Sequence, residues 1–450
     1  MSEFSQGPVL WQAMIAIVIF AAAYVCLLIE KWDRTYTALG GALLMIVLGI
    51  VPIGQALSTY ANWHTILFIV SLFAISGVFQ KTGLIAYAAS SVIQKYRFQP
   101  FTILIGLSLL TAVVSALLDS LLAIAIIVPA VLSLSKAMKL SPAPFLISLI
   151  LSANIGGAAT LLGNMPNRMV GLSAPLTMAQ FLLVLTPLVI VMLVIIYIIM
   201  WLIYGKKLVP AESYKKDVSN LQPSSYLTQD RVLLIGGSAA AAVTFLLLIL
   251  QGVLGWNASY IALGGAVVLL ALNYKEIVSL ARSKEYRSAA NLLLDSQLFF
   301  FLGLFIMAGG IAHAGVSGYI AARGLEVGQG SVTFMSMLVL WLTGFGTAMM
   351  DNIPYVAAIT PVLQHMQGML MLVSSGTAPV SATPLWWSLL IGAAIGGGAT
   401  LLGSAAGMLA AGLAGHHEAR FSQRDYMIIA APISLLLIVV ATVYFNLFLL

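Results

Sequence analysis

Apolar runs long enough to cross a bilayer recur along the whole chain, and they recur as two matching sets. Ala38–Ala42 (ALGGA) returns as Ala262–Ala266, and Phe68–Gly83 is echoed by Phe300–Gly315, with the Leu-Phe pair at 72–73 and 304–305 and glycines at 77 and 309. Ala116–Pro129 (ALLDSLLAIAIIVP) is echoed by Ala348–Pro361 (AMMDNIPYVAAITP), and Ile155–Gly163 (IGGAATLLG) by Ile395–Gly403 (IGGGATLLG). The offset grows from 224 to 232 to 240, as small loop insertions in the second copy would produce. Similarity at a slowly drifting offset over this length means two structural repeats. A hydrocarbon core of about 30 Å asks for about 20 apolar residues per helix, so the chain is confined to two copies of one membrane-spanning unit.

Composition agrees. The 450 residues are 61% hydrophobic and 8% charged, with a mean hydropathy of +1.05, which excludes a soluble domain of this size. Leu10–Ile29 is too long for the apolar stretch of a signal peptide and no basic segment precedes it, so it reads as a span. The net charge of +6 resides in inter-helix loops and is no nucleic-acid signature. Cys26 is the only cysteine, which rules out a disulfide within the chain and a multi-thiolate metal site. No metal or cofactor is expected.

Each half reads as three spans, an apolar hairpin, a glycine-interrupted span and a final span. These fall at 9–29, 35–54, 62–80, 101–137, 143–170 and 178–204, then at 231–251, 257–273, 293–313, 331–370, 385–413 and 426–449. Residues 1–204 form the first transmembrane repeat, 205–230 a cytoplasmic linker and 231–450 the second repeat. As one helix, Phe101–Ser135 would run about 50 Å, too long for the core. Its midpoint Leu117–Leu122 has no Gly, Pro or charge cluster suited to a surface loop, so a re-entrant hairpin with a buried tip fits best. A hairpin adds an even number of crossings, which leaves an odd number per half and inverts the second repeat. The expected fold is therefore an all-α integral membrane protein of two inverted-topology repeats. Each repeat has about five transmembrane helices, a re-entrant hairpin and a glycine-broken helix. With the N-terminus outside, all 20 Lys and Arg residues except Arg168 and Arg323 fall in inward loops. This bias predicts a multi-pass protein of the inner (plasma) membrane with both termini outside.

Asp119 and Asp351 stand at the same place in the two hairpins. A carboxylate near the bilayer centre costs about 2.5–3.5 kcal/mol on the most lenient scale, so it marks function. Its competing role is a helix-holding ion pair, for which Arg168 is the only basic residue near the core in this layout. A carboxyl group that binds either a proton or a cation is the simplest coupling device. Asn154–Asn167 (NIGGAATLLGNMPN) and Ala394–Gly407 (AIGGGATLLGSAAG) carry glycine pairs that would unwind their helices. That leaves backbone groups and helix ends free at mid-membrane, whereas helix packing alone needs only spaced small residues.

Ser152–Asn167 (SANIGGAATLLGNMPN), Met350–Pro354 (MDNIP) and Ile395–Gly403 together resemble the ion transporter superfamily. Within it they resemble the arsenite permeases, the NhaD-type sodium/proton antiporters and the melanosomal P protein. The resemblance covers nearly the whole chain. It implies two inverted repeats whose hairpin tips meet broken helices. It also implies an Asn-containing tip, which Asn352 matches and Asp119-Ser120 does not. Antiporter-like relatives often carry Asp where this chain has Asn164.

The leading expectation is export of arsenite, with antimonite, from the cytoplasm, driven by proton entry. Arsenite is mostly a neutral trihydroxide near pH 7 and asks for amides, hydroxyls and backbone groups. Ser120, Asn154, Gly156, Gly157, Thr160, Asn164, Asn167, Asn352, Gly396, Gly397, Thr400 and Ser404 are the candidate substrate-binding residues. Asp119 and Asp351 would carry protons, with Arg168 as a charge partner. The alternative is a sodium/proton antiporter in which the aspartates bind Na+. A dicarboxylate carrier ranks behind both, because two acidic tips repel an anion. An intramembrane aspartyl protease is excluded by the absence of Tyr-Asp and Gly-x-Gly-Asp sequences at Asp119 and Asp351. An ATPase subunit and a homo-oligomer both stay open.

Overall fold

The computed structural model describes residues 10–29, 32–97, 99–174, 176–209, 222–274, 296–373, 381–417 and 421–450. Among them the ordered structure is helical, with no strand. The first repeat contains α1 (Leu10–Ile29), α2 (Arg34–Val47), α3 (Trp63–Gln80), α4 (Leu84–Lys95), α5 (Pro100–Leu117), α6 (Ser120–Met138), α7 (Ala143–Gly157), α8 (Met165–Ser173) and α9 (Met178–Tyr204). The second runs in the same series: α10 (Gly237–Leu254), α11 (Ala258–Leu272), α12 (Ser296–His313), α13 (Val316–Val327), α14 (Val332–Met349), α15 (Asn352–Val373), α16 (Thr383–Gly397), α17 (Ala405–His416) and α18 (Gln423–Phe448). Thus α10 answers α1 and α18 answers α9. Among the described residues, eight helices are long and apolar enough to cross a membrane, or nine if the bent pair α12–α13 counts as one.

Helix ends follow local chemistry. Asp33 caps α2 by accepting from the Thr35 and Tyr36 amides, and Thr177 and Gln180 form a capping box on α9. Both hairpins fold back at two-residue tips, Leu118-Asp119 and Met350-Asp351. Both interrupted spans break, at 158–164 and 398–404.

Two details depart from the expected layout. The span expected at 35–54 stops at Val47, because Gly49 turns the chain at φ 71° and Pro52 follows. The chain after spans 62–80 and 293–313 was expected as loop, yet it forms α4 and α13. Each begins at a left-handed glycine, Gly83 (φ 74°) or Gly315 (φ 77°), at matching positions, and α13 leaves α12 at 64°. Several basic residues counted for orientation, including Lys215, Lys216 and Arg420, lie outside the described residues.

The packing repeats across the pseudo-dyad. α5 lies on α7 and α14 on α16; α2 packs on α12 and α11 on α3; α17 meets α6 and α8 meets α15. Lipid offers little hydrophobic drive for helix association, so close backbone approach and polar ties carry it. Gly303 shows the closeness: a Cβ there would stand 2.6 Å from the Ala38 carbonyl carbon. The larger apolar cluster surrounds the hairpins and broken helices, and a smaller one joins α1, α2 and α12 to Met165, Met169, Ile353 and Ala357.

Candidate functional site

The hairpin tips are held in the same way in both repeats. Asp119 caps α6, its Oδ1 accepting from the Leu121 amide at 2.7 Å, and Asp351 caps α15, its Oδ1 accepting from the Ile353 amide at 3.2 Å. The second carboxylate oxygen of each faces a guanidinium: Arg168 Nη2 lies 2.9 Å from Asp119 Oδ2, and Arg34 Nη1 lies 3.0 Å from Asp351 Oδ2. The next amide ties each tip to its broken helix, Ser120 donating to Gly163 O and Asn352 to Gly403 O, both at 3.1 Å. Thr160 donates to Ala116 O, and Thr400 to Ala348 O at 2.8 Å. These two threonines therefore spend their hydroxyls fastening break to hairpin.

Gly156 and Gly396 let the same elements touch. A Cβ would come within 2.5 Å of Ala112 Cα at the first and 2.1 Å of Gly344 O at the second. Gly157 lies against Ser115 Oγ, which a Cβ would meet at 2.8 Å.

The breaks place polar groups at the centre of the molecule. Asn164 and Ser404 are the N-caps of α8 and α17, accepting from the Asn167 amide at 2.9 Å and the Gly407 amide at 3.2 Å. Asn154 Nδ2 crosses between repeats to Ser404 Oγ at 3.0 Å, and also donates to Ile150 O. Gly397 lies between amides: a Cβ there would stand 2.9 Å from Asn352 Nδ2 and 3.4 Å from Asn154 Oδ1. Asn154, Ser404 and Asn352 are thus drawn together at Gly397. Ser120 is half-buried at the first tip.

Asn167 has a different task. Its Nδ2 donates to Gly157 O at 3.1 Å and Thr160 O at 2.6 Å, closing the C-terminus of α7. The matching residue, Gly407, has no room for a side chain, since a Cβ would meet Leu401 O at 2.6 Å. In the second repeat the Tyr426 hydroxyl takes Gly398 O instead, at 2.5 Å.

The two arginines differ more than the two aspartates. Arg168 is fully buried and also donates to Leu162 O and Leu118 O, with the Phe73 ring 6.0 Å away. Arg34 comes from the other repeat and is 35% exposed. The sequence layout puts Arg34 in an inward loop, and no motif marks Tyr426 or Ser115. A signal for Arg34 did exist: Arg168 maps to Met408, so Asp351 lacks an arginine in its own broken helix. Among the described residues no group of three or more His, Cys, Asp or Glu stands together to hold a metal ion.

Comparison with known proteins fits this geometry. Residues 24–392 match the family model described as citrate transporter. An uncharacterized transporter of Mycobacterium tuberculosis is 32% identical over 435 residues, covering 96% of this chain and 97% of its own. The human P protein is 23% identical over 513 residues, covering 96% of this chain and 59% of its own. In fold the chain is similar to MtrF of Neisseria gonorrhoeae, described as illuminating a class of antimetabolite efflux pumps. That match has a TM-score of 0.59 and 14% identity, covering 97% of this chain and 94% of the other.

Proposed function

The chain belongs to the citrate transporter family of membrane carriers, and we propose that it is a proton-coupled secondary transporter exporting a small neutral oxyacid, arsenite with antimonite, across the plasma membrane. The observation that carries this reading is the Asn154–Ser404 bond beside Asn352 and Gly397. It joins the two broken helices through neutral donors and acceptors. Ser404 caps α17 as Asn164 caps α8, both without charge, so the dipole of α17 at this bond favours solute oxygens without demanding a full charge. A trihydroxide can both donate to and accept from such groups.

The two aspartates take separate roles in this reading. Asp119 and Arg168 form a buried unit of no net charge, and removing one partner strands the other. Asp351 is paired with a half-exposed arginine from α2, so it is the aspartate placed to exchange protons. Direct sodium coordination fits less well, since each carboxylate holds a guanidinium with one oxygen and an amide with the other.

A carboxylate anion is the second reading. The family description favours it, and so do the arginines, because a compensated tip no longer repels an anion. Everted membrane vesicles separate the two. Arsenite accumulation that collapses with the proton gradient and ignores excess citrate supports the first reading. Citrate or dicarboxylate uptake without arsenite transport replaces it with the second.

A further inference from the structure

Asp351 has an arginine that its own repeat does not supply. Arg34 Nη1 lies 3.0 Å from Asp351 Oδ2, and Arg34 Nη2 lies 3.0 Å from the sulfur of Met408, the residue that replaces Arg168 in the second repeat. The Arg34 guanidinium therefore fills the place of the missing arginine, but from α2. The Asp119–Arg168 pair joins a hairpin to the broken helix that already holds it, and its side chains are 7% and 0% exposed. The Asp351–Arg34 pair joins a hairpin to α2, outside the hairpin–break unit, and its side chains are 13% and 35% exposed.

A small cavity adjoins this pair, lined by Tyr24, Leu27, Leu28, Phe300 and Pro354 with Arg34 and Asp351, and it offers about 20 Å³. That is room for one water molecule. The Tyr24 hydroxyl is buried and finds no hydrogen-bond partner among the described residues. A polar wall without a partner, beside an ion pair that is only partly buried, is a site for a small polar occupant.

We propose that this cavity is where the coupling proton binds, and that Arg34 is the tethered cation it displaces. A proton passes from a hydronium in the cavity to Asp351 Oδ2, giving a neutral carboxyl and leaving water. Arg34 keeps its proton and turns away from the neutral carboxyl, and the α15 tip is released from α2. Loss of the proton restores the pair. Among the described residues, the titratable and charged groups shown acting with Asp351 are Arg34 from α2 and Tyr24 from α1, Tyr24 also sensing Tyr355 of α15; α12 contributes the apolar Phe300.

This inference rests on the coupled-carrier reading, yet its test needs no solute. Amide hydrogen exchange is measured on the full chain in lipid nanodiscs from mildly alkaline to mildly acidic pH. The wild type should keep 346–356 protected at alkaline pH and release it on acidification. Arg34→Gln and Asp351→Asn should each exchange that segment faster at alkaline pH, on the order of fivefold as suits a half-exposed pair, and lose the pH response. Arg34→Lys should keep the response, and the first hairpin tip should stay protected in every variant. A wild type without a pH response, or Arg34→Gln with wild-type protection, overturns the proposal. So does loss of protection at both tips in Arg34→Gln, which would make Arg34 a structural residue. If the pH response stands while vesicles ignore arsenite, only the solute assignment falls.

Discussion

Asn164 and Ser404 occupy the same backbone position in the two repeats, each capping the helix after the break. Asp caps a helix as well as Asn does, so Asn164→Asp tests charge with little change in structure. The variant should fold with wild-type thermal stability, while arsenite export in vesicles falls at least severalfold, because a fixed charge in a desolvated site is costly. The aspartates should part company. Asp119→Asn leaves the Arg168 guanidinium uncompensated in the core, a loss of about 3–5 kcal/mol, and should show as a lowered unfolding temperature in detergent. Asp351→Asn, at the half-exposed pair, should stay folded and lose coupled transport. Cys26→Ala should retain activity, because one thiol cannot form the three-sulfur site that trivalent arsenic prefers; loss of transport in a well-expressed variant would contradict this. The aspartates, the amides and the glycines could all be picked out of the sequence, but their partners could not. Thr160 and Thr400 stand as candidate ligands in the motif, and each also fastens hairpin to break, a role visible only once Ala116 and Ala348 are seen beside them.

At the scale of elements, the hairpins and broken helices were legible because each breaks a physical rule in plain view. One apolar run was too long to be a single span, and glycine pairs interrupted the other. Helices α4 and α13 were not legible as helices. They are amphipathic and lie between strong spans, so their polar residues read as loop. Tight contact between hairpin and break gives a direct check. Gly396→Ala places a methyl group 2.1 Å from Gly344 O, which neither backbone can avoid without moving. This variant should lose transport and a large part of its thermal stability, whereas Gly412→Ala, where nothing lies within 4 Å of the added Cβ, should match wild type in both measurements.

For the whole molecule, duplication announced the fold, and the departures from duplication carry the mechanism. The repeats agree in helix series, tip geometry and tip-to-break bonds. They differ at Arg168 and Met408 and at Asn167 and Gly407, and the bond from Asn154 to Ser404 joins one broken helix to the other. Arg34 is 317 residues from its aspartate, and no spacing argument links them; only the assembled fold does. Inversion can be tested by cysteine labelling in a Cys26→Ala background, with Ser120→Cys and Asn352→Cys expected to react from opposite faces and labelling of both from one face contradicting it. The central claim is proton-coupled export through a neutral site between the two breaks, and everted vesicles test it most directly. With an imposed proton gradient and no sodium, vesicles carrying the protein should accumulate arsenite, lose it when a protonophore is added, and fail to accumulate it with Asp351→Asn. Vesicles that exchange sodium for protons and ignore arsenite would contradict the account.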